Sequence, residues 1–300
     1  MLILNLGSLN MDKVYNVDHF VLAGETILAD KYEVFCGGKG LNQSIALARA
    51  GARVYHAGLV GTDGEPLCEA LGQAGVDLKY LARTDGVSGH AVIQLTPQGQ
   101  NGIVVYGGAN GAVSREYIDT VLADFAAGNL LLLQNETSNV AYAMQTAKAK
   151  GMLVAFNPSP VTADLVTYPL DCVDYLILNE VEGNALAGGE TNTEILNALH
   201  QKYPRAAVIL TVGQQGVLYR DKDRQASHGV YDVEVLDTTG AGDTFCGYFL
   251  ACIAEGMRER EALEYASRAS SLAVSRRGAS TSIPYRDEVM HFTHRPLEQP

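Results

Sequence analysis

Six short apolar runs punctuate the chain: LILNL (2–6), VYHAGLV (54–60), LLLLQ (130–134), MLVAFN (152–157), YLILN (175–179) and AVILTV (207–212). Runs this short and this uniformly apolar suit strands covered on both faces. Between several of them lie LNQSIALARA, EPLCEALGQA and SNVAYAMQTAKAK, which carry small and apolar residues at helical spacing. Buried strands alternating with helices predict an α/β fold: a doubly wound, mostly parallel central sheet with helices on both faces.

Two regions break that rhythm. Residues 13–35 alternate without a helical stretch, and HAVIQLTPQGQNGIVVYG (90–107) reads as two strands around a Pro/Gly turn. We expect them to pair as a small projecting β-sheet, a lid whose open face a ligand or a second subunit would cover. With no long linker, low-complexity run or internal repeat, residues 1–300 are expected to form one α/β domain plus this lid.

The formal net charge of −12 and the scattered basic residues argue against a nucleic-acid groove, which needs clustered Lys and Arg. The five cysteines are odd in number and form no CxxC or Cys/His ligand spacing, so reduced thiols are expected and structural zinc is not. The opening MLILNLGSLN lacks the basic and long apolar segments of a secretory leader, and no run has membrane-spanning length. A cytoplasmic protein without membrane partners is expected.

Polar residues collect where the predicted strands end, in GSLNMD, GTDG, QNE, NPSP, NEVE and TVGQQG. Open α/β sheets bind ligands beyond the carboxyl ends of their strands, so six such loops converging on one edge point to a site. The common nucleotide motifs are missing. The one GK pair is followed by Gly40, not Ser or Thr, and GAGDTF has Phe245 where a dinucleotide fingerprint needs its third glycine.

DTTGAGDTF (237–245) instead places glycines and then an acid before a helix apolar nearly all round. An isolated aspartate there ordinarily caps the helix. A buried helix start beside small residues also suits a substrate. The neighbouring N–H groups would hold charge developing on a phosphoryl group, and Asp243 would act as general base toward the attacking hydroxyl. Gly37 and Gly38 of GGKGLNQS allow close backbone approach, and Asn10 and Asp12 of GSLNMD, Lys39, Asn42 and Glu136 supply the amide, ammonium and carboxylate groups that suit a polyol.

GGKGLNQSIALARAGA and DTTGAGDTFCGYFL together resemble the two signatures of the ribokinase-like, phosphofructokinase-B-type carbohydrate kinase family, and the likeness runs from GSLNMD to RRGASTS. The opening GSLNMDKVYNVDHFVLAGETI is closest to the ribokinase branch. The resemblance implies transfer of the ATP γ-phosphoryl group to a sugar hydroxyl, O5 if the sugar is D-ribose, with Asp243 as base and Gly240, Ala241 and Gly242 as anion hole. It implies sugar contacts from Asn10, Asp12, Gly38, Lys39, Asn42, Glu136 and Asp243. Asn179, Thr211, Gly213 and Gly242 would bind nucleotide, and Asn179 and Glu182 of NEVE would support Mg2+ indirectly. Asp237, Thr239, Ala273, Arg276, Gly278 and Ser282 match a K+ site. A homodimer through the lids is also implied.

Met11, Asn135 and Thr137 depart from the family pattern beside the sugar contacts, which leaves deoxyribose, other pentoses and fructose open as acceptors. A nucleoside acceptor would want stacking aromatics, for which Tyr15, Phe20 and Tyr106 are the candidates. A sugar sensor without catalysis is the alternative of another class, and the intact Asp243 turn argues against it. An NAD oxidoreductase is disfavoured by the failed fingerprint.

Overall fold

The computed structural model describes residues 1–297. The chain runs β1 (Ile3–Leu6), β2 (Asn10–Asn16), β3 (Lys31–Gly37), α1 (Lys39–Arg49), β4 (Val54–Val60), α2 (Glu65–Gln73) and β5 (Asp77–Arg83). It continues through β6 (Gly89–Leu95), β7 (Asn101–Tyr106), α3 (Arg115–Leu122), β8 (Leu130–Gln134), α4 (Val140–Ala149), β9 (Leu153–Asn157), β10 (Tyr175–Asn179) and α5 (Glu180–Ala187). The last part comprises α6 (Asn192–Lys202), β11 (Ala207–Thr211), β12 (Val217–Arg220), β13 (Gln225–His228), α7 (Ala241–Ala254), α8 (Glu259–Val274) and α9 (Arg286–Met290).

The central sheet has the order β13-β12-β11-β10-β9-β8-β1-β4-β5, parallel except for the antiparallel β12 and β13. Leu130 and Leu132 are buried in one core with α1, α7 and α8, and Leu131 and Leu133 in the other with α3, α4 and α6. This two-sided burial is why the strands read as unbroken apolar runs. Three strands escaped the sequence pattern. β5 is a half-exposed edge strand, DLKYLAR, and β12 and β13 are four-residue strands with polar, partly exposed positions.

The second sheet, ordered β3-β2-β6-β7, is the small projecting one. It begins at Asn10, earlier than the expected start at residue 13, so Asn10 and Asp12 belong to β2. Strand alternation and register put Asn10, Asp12, Phe35, Ala91 and Val105 on one face, and Met11, Lys13, Val34, His90, Val92, Val104 and Tyr106 on the other.

Helix α7 is the centre of the fold, with residues 243–252 all buried. It lies against α1 so closely that a Cβ on Gly247 would sit 2.4 Å from Ala46 Cβ and 2.9 Å from Leu47 N. Gly247→Val should therefore force the helices apart and destabilise the protein by about 1–3 kcal/mol, read as a lower midpoint in urea unfolding. An unchanged midpoint would mean that this contact is loose.

Candidate active site

Connections leave β1 toward β4 on one side, while β8 lies on the other, which makes the carboxyl end of β1 the topological switch point. The chain is tight here. A Cβ on Gly40 would lie 2.3 Å from Ser8 N, so the start of α1 rests directly on the segment between β1 and β2. Gly38 (φ 92°) occupies the N-cap position of α1 and supplies no side-chain cap. Glu136, just past β8, takes that role: its Oε2 accepts from Lys39 N at 3.0 Å and from Ser8 Oγ, whose oxygen in turn accepts from Gly40 N at 3.2 Å. Burial holds the Glu136 carboxyl above the usual range despite these donors.

Asp243 is not an N-cap. Gly240 (φ 75°) occupies that position, and Asp243 sits in the first turn of α7 with a buried side chain. Its Oδ2 accepts from Asn42 Nδ2 at 3.0 Å and its Oδ1 from Gln43 Nε2 at 2.9 Å. Of the three N–H groups expected to form the anion hole, that of Ala241 donates to Thr238 O at 3.2 Å. Burial works against the Lys39 ammonium, but Asp243, Glu136 and Glu182 outweigh it and raise the pKa.

Behind Asp243 lies a set of buried polar side chains that the motifs did not reveal. Gln43 Nε2 also donates to Asn157 Oδ1 (3.1 Å), and Gln134 Nε2 donates to Gln43 Oε1 (2.7 Å) and Asn5 Oδ1 (2.9 Å). Asn5 Nδ2 reaches Gly40 O and Ser44 Oγ, each at 2.8 Å, and Ser44 Oγ lies 2.8 Å from His56 Nδ1. Burial depresses the His56 pKa to about 4, so its imidazole is neutral at physiological pH. The available signal was a polar residue inside an apolar run: Asn5 in LILNL, His56 in VYHAGLV and Gln134 in LLLLQ.

On the small sheet, Asn10 Oδ1 accepts from Asn110 Nδ2 at 2.8 Å, and Asn110 Oδ1 accepts from Leu9 N at 3.0 Å. Asn110, also missed, thus fixes the Asn10 amide with its NH2 directed elsewhere. Asp12 lies over Gly37, where an added Cβ would meet its Oδ2 at 2.0 Å. Burial, reinforced by Glu136, pushes the Asp12 pKa up to about 7. Two of the residues that depart from the family pattern point elsewhere. Met11 is on the opposite face and packs against the core, and Asn135 Nδ2 donates to Pro160 O (2.7 Å) and Thr162 Oγ1 (2.8 Å). Tyr15 and Tyr106 also lie on the face opposite Asp12, where they pair with Tyr32 and His90.

Two cavities meet beside α7. A polar one of about 240 Å³ is lined by Lys39, Asn157, Glu182, Gly240 and Asp243; an apolar one of about 390 Å³ by Val230, Val233, Val235, Phe245 and Val274. Asn179, Thr211, Thr238 and Gly242 line both, and Gly213 lines the second. Asn179 and Glu182 form a reciprocal cap on α5: Glu182 N donates to Asn179 Oδ1 (2.8 Å) and Asn179 N to Glu182 Oε2 (3.0 Å).

The residues matched to a cation site are only partly drawn together. Asp237 Oδ1 accepts from Thr239 N (2.9 Å) and Oγ1 (2.7 Å), and its Oδ2 accepts from Gly278 N (2.9 Å). Ala273 O accepts from Arg276 N, Ser282 Oγ donates to Ala279 O, and the Arg276 guanidinium turns away to Glu288 at 2.6 Å. Among the described residues no His, Cys, Asp and Glu side chains gather as a metal cluster, and no helix is long and apolar enough to cross a membrane.

Because the folded Asp12 holds its proton to higher pH than the unfolded one, its contribution to stability is greatest in acid and is lost as pH rises through about 7. Asp12→Asn should raise the Tm by about 2–4 °C at pH 8 and by less at pH 5. An equal gain at both pH values in differential scanning fluorimetry would contradict the raised pKa.

Residues 2–286 match the pfkB family of carbohydrate kinases. A ribokinase of Haemophilus influenzae is 34% identical over 297 residues, covering 96% of each chain. Among solved structures, Arabidopsis thaliana ribokinase complexed with ribose and ATP superposes with a TM-score of 0.85 at 31% identity, covering 97% of this chain and 99% of that one. Ribokinase of Cryptococcus neoformans in complex with ADP gives 0.84 at 34% identity, covering 96% and 98%. The carboxylate at the start of α7 and the paired cavities beside it thus sit in a fold shared along nearly the whole chain with these enzymes, and the protein belongs to the pfkB family of carbohydrate kinases.

Proposed function

We propose that the chain transfers the γ-phosphoryl group of ATP to O5 of D-ribose, giving ribose 5-phosphate. The observation that carries this reading is the placement of Asp243. The residue lines the polar cavity that Lys39 also lines, next in sequence to Gly242, which lines both that cavity and the apolar pocket. A polar chamber for phosphates beside an apolar pocket for a base suits a nucleoside triphosphate. The ligands of the two ribokinase structures, ribose with ATP in one and ADP in the other, support the same pair of substrates.

In this reading Asn10, Asp12, Gly38, Lys39, Asn42 and Glu136 hold the sugar, and Asp243 takes the proton of its attacking hydroxyl. The N–H groups of Gly240 and Gly242 face the transferring group, and Ala241 joins them on releasing Thr238 O. Phosphoryl transfer depends mostly on positioning and electrostatics, so a fixed carboxylate and fixed donors supply what the reaction needs. Asn179, Thr211, Gly213 and Gly242 bind the nucleotide.

Mg2+ fits the polar cavity through waters, because Glu182 lines it while giving one oxygen to the α5 cap. There it neutralises phosphate charge. A monovalent cation, K+, would sit near the loops that Asp237 ties together through Thr239 and Gly278, with main-chain oxygens around Ala273, Arg276 and Ser282 as further ligands. The exposed Ile103, Val104, Val105 and Tyr106 on edge strand β7 support a homodimer formed by the small sheets.

ADP release should be greatest with ribose among ribose, deoxyribose, fructose and a nucleoside. Asp243→Asn should lower kcat by at least about a hundredfold while ribose binding, measured by calorimetry, largely survives. A fully active Asp243→Asn protein would sink the assignment, and turnover confined to another acceptor would reassign the substrate.

Sedimentation should give about twice the mass of the 32.1 kDa chain, and Val104→Lys with Val105→Lys should give a monomer. A monomeric unaltered protein at micromolar concentration would remove the dimer.

A further inference from the structure

The two oxygens of Asp243 are held by unlike partners. Oδ2 meets the Asn42 amide, whose own Oδ1 is buried without a partner, so nothing behind Asn42 fixes its orientation. Oδ1 meets Gln43, whose amide is fixed from two sides. Asn157 Nδ2 donates to Ile177 O at 2.9 Å, which turns Asn157 Oδ1 toward Gln43 as an acceptor. Asn5 Nδ2 donates to Gly40 O, which turns Asn5 Oδ1 toward Gln134; the Gln134 NH2 then serves Asn5 and Gln43 Oε1 together. Both anchors are main-chain carbonyls that cannot reverse. Both require Gln43 to present its NH2, not its oxygen, to Asp243.

We propose that Gln43 is the positioning residue of the reaction: held by the buried amides of Gln134, Asn5 and Asn157, it fixes Asp243 Oδ1 as an acceptor and leaves Oδ2 to receive the substrate proton. A carboxylate free to rotate would present either oxygen at varying angles. Here, one donor with an imposed polarity removes that freedom before substrate arrives. The cost is a chain that is not fully satisfied, since Gln134 Oε1 and His56 Nε2 are buried without hydrogen-bond partners. The inference rests on Asp243 being the base.

Gln43→Glu preserves the shape and replaces the donor by a second acidic group facing Asp243. The kcat should fall at least about tenfold, part of the hundredfold or more that a positioned base supplies, with the sugar KM within about threefold of wild type. The acid limb of kcat should move up by about one pH unit or more. Lys39 on α1, Glu136 after β8, Glu182 on α5 and Cys246 on α7 share this field and stay unchanged in the variant.

Gln134→Glu does not touch Asp243, but it removes the donor to Gln43 Oε1 and so favours the reversed amide; it should shift the limb in the same direction. A merely structural role would lower the melting temperature of both variants and leave kcat near wild type at pH values above the limb, where Asp243 is fully ionised. That outcome overturns the proposal. If either variant fails to fold, the unaltered protein supplies the test through NMR. The Gln43 side-chain N–H resonances should exchange slowly with water and shift with the Asp243 carboxyl titration, and resonances indifferent to that titration overturn the inference. Absence of sugar-dependent ADP release from the unaltered protein would undo the kinase reading. Release with an unshifted limb in the variants would undo only the role of Gln43.

Discussion

Everything at the site depends on two helices touching without side chains to separate them. Gly247 allows α7 to lie on the Ala46–Leu47 backbone of α1. That contact sets Asn42 and Gln43 against a carboxylate about two hundred positions further along the chain. A side chain at Gly247 would widen the gap by about 1 Å or more, enough to break a hydrogen bond of about 3 Å. Core packing and site geometry are thus one constraint, and the glycine that looks like a weak helix residue is what makes the carboxylate addressable.

The electrostatics of the chamber follow from the same closeness. Lys39 has Asp243, Glu136 and Glu182 around it, and Asp12 is near enough to Glu136 to feel its charge. A pocket with more carboxylates than ammonium groups, in a chain of net charge −12, does not attract a polyphosphate by charge alone. In the proposed reaction the start of α7, where main-chain N–H groups and the helix dipole gather, would supply that attraction, together with the cations that accompany a nucleotide.

Strands buried on both faces were legible because nothing in them alternates; β4, β8 and β10 match their apolar runs residue for residue. β5 and the β12–β13 hairpin were not, because edge strands carry polar residues whose burial depends on neighbours absent from the local sequence. At the site, Lys39, Asn42, Glu136 and Asp243 could be read from motifs that keep glycines beside polar groups. Gln43, Asn5, Gln134 and Asn110 could not, since an amide inside an apolar run announces that it has a partner without saying which. The N-x-x-E spacing has the opposite difficulty, because the separation that lets Asn179 and Glu182 face one cavity also lets them cap α5.

Asn10 and Asp12 belong to β2, and only three residues separate β1 from that strand. Asn110, from the segment after β7, ties the same crossing down through Leu9 and Asn10. In the proposed reading the small sheet therefore carries part of the sugar-binding surface with it, and whatever displaces the sheet also takes those groups away from Glu136 and Asp243. If that sheet closes over the acceptor, affinity for the acceptor is a product of contact strength and the fraction of molecules already closed. Selection acting on the stiffness of that crossing could tune how much acceptor the protein needs without altering a single atom that meets it.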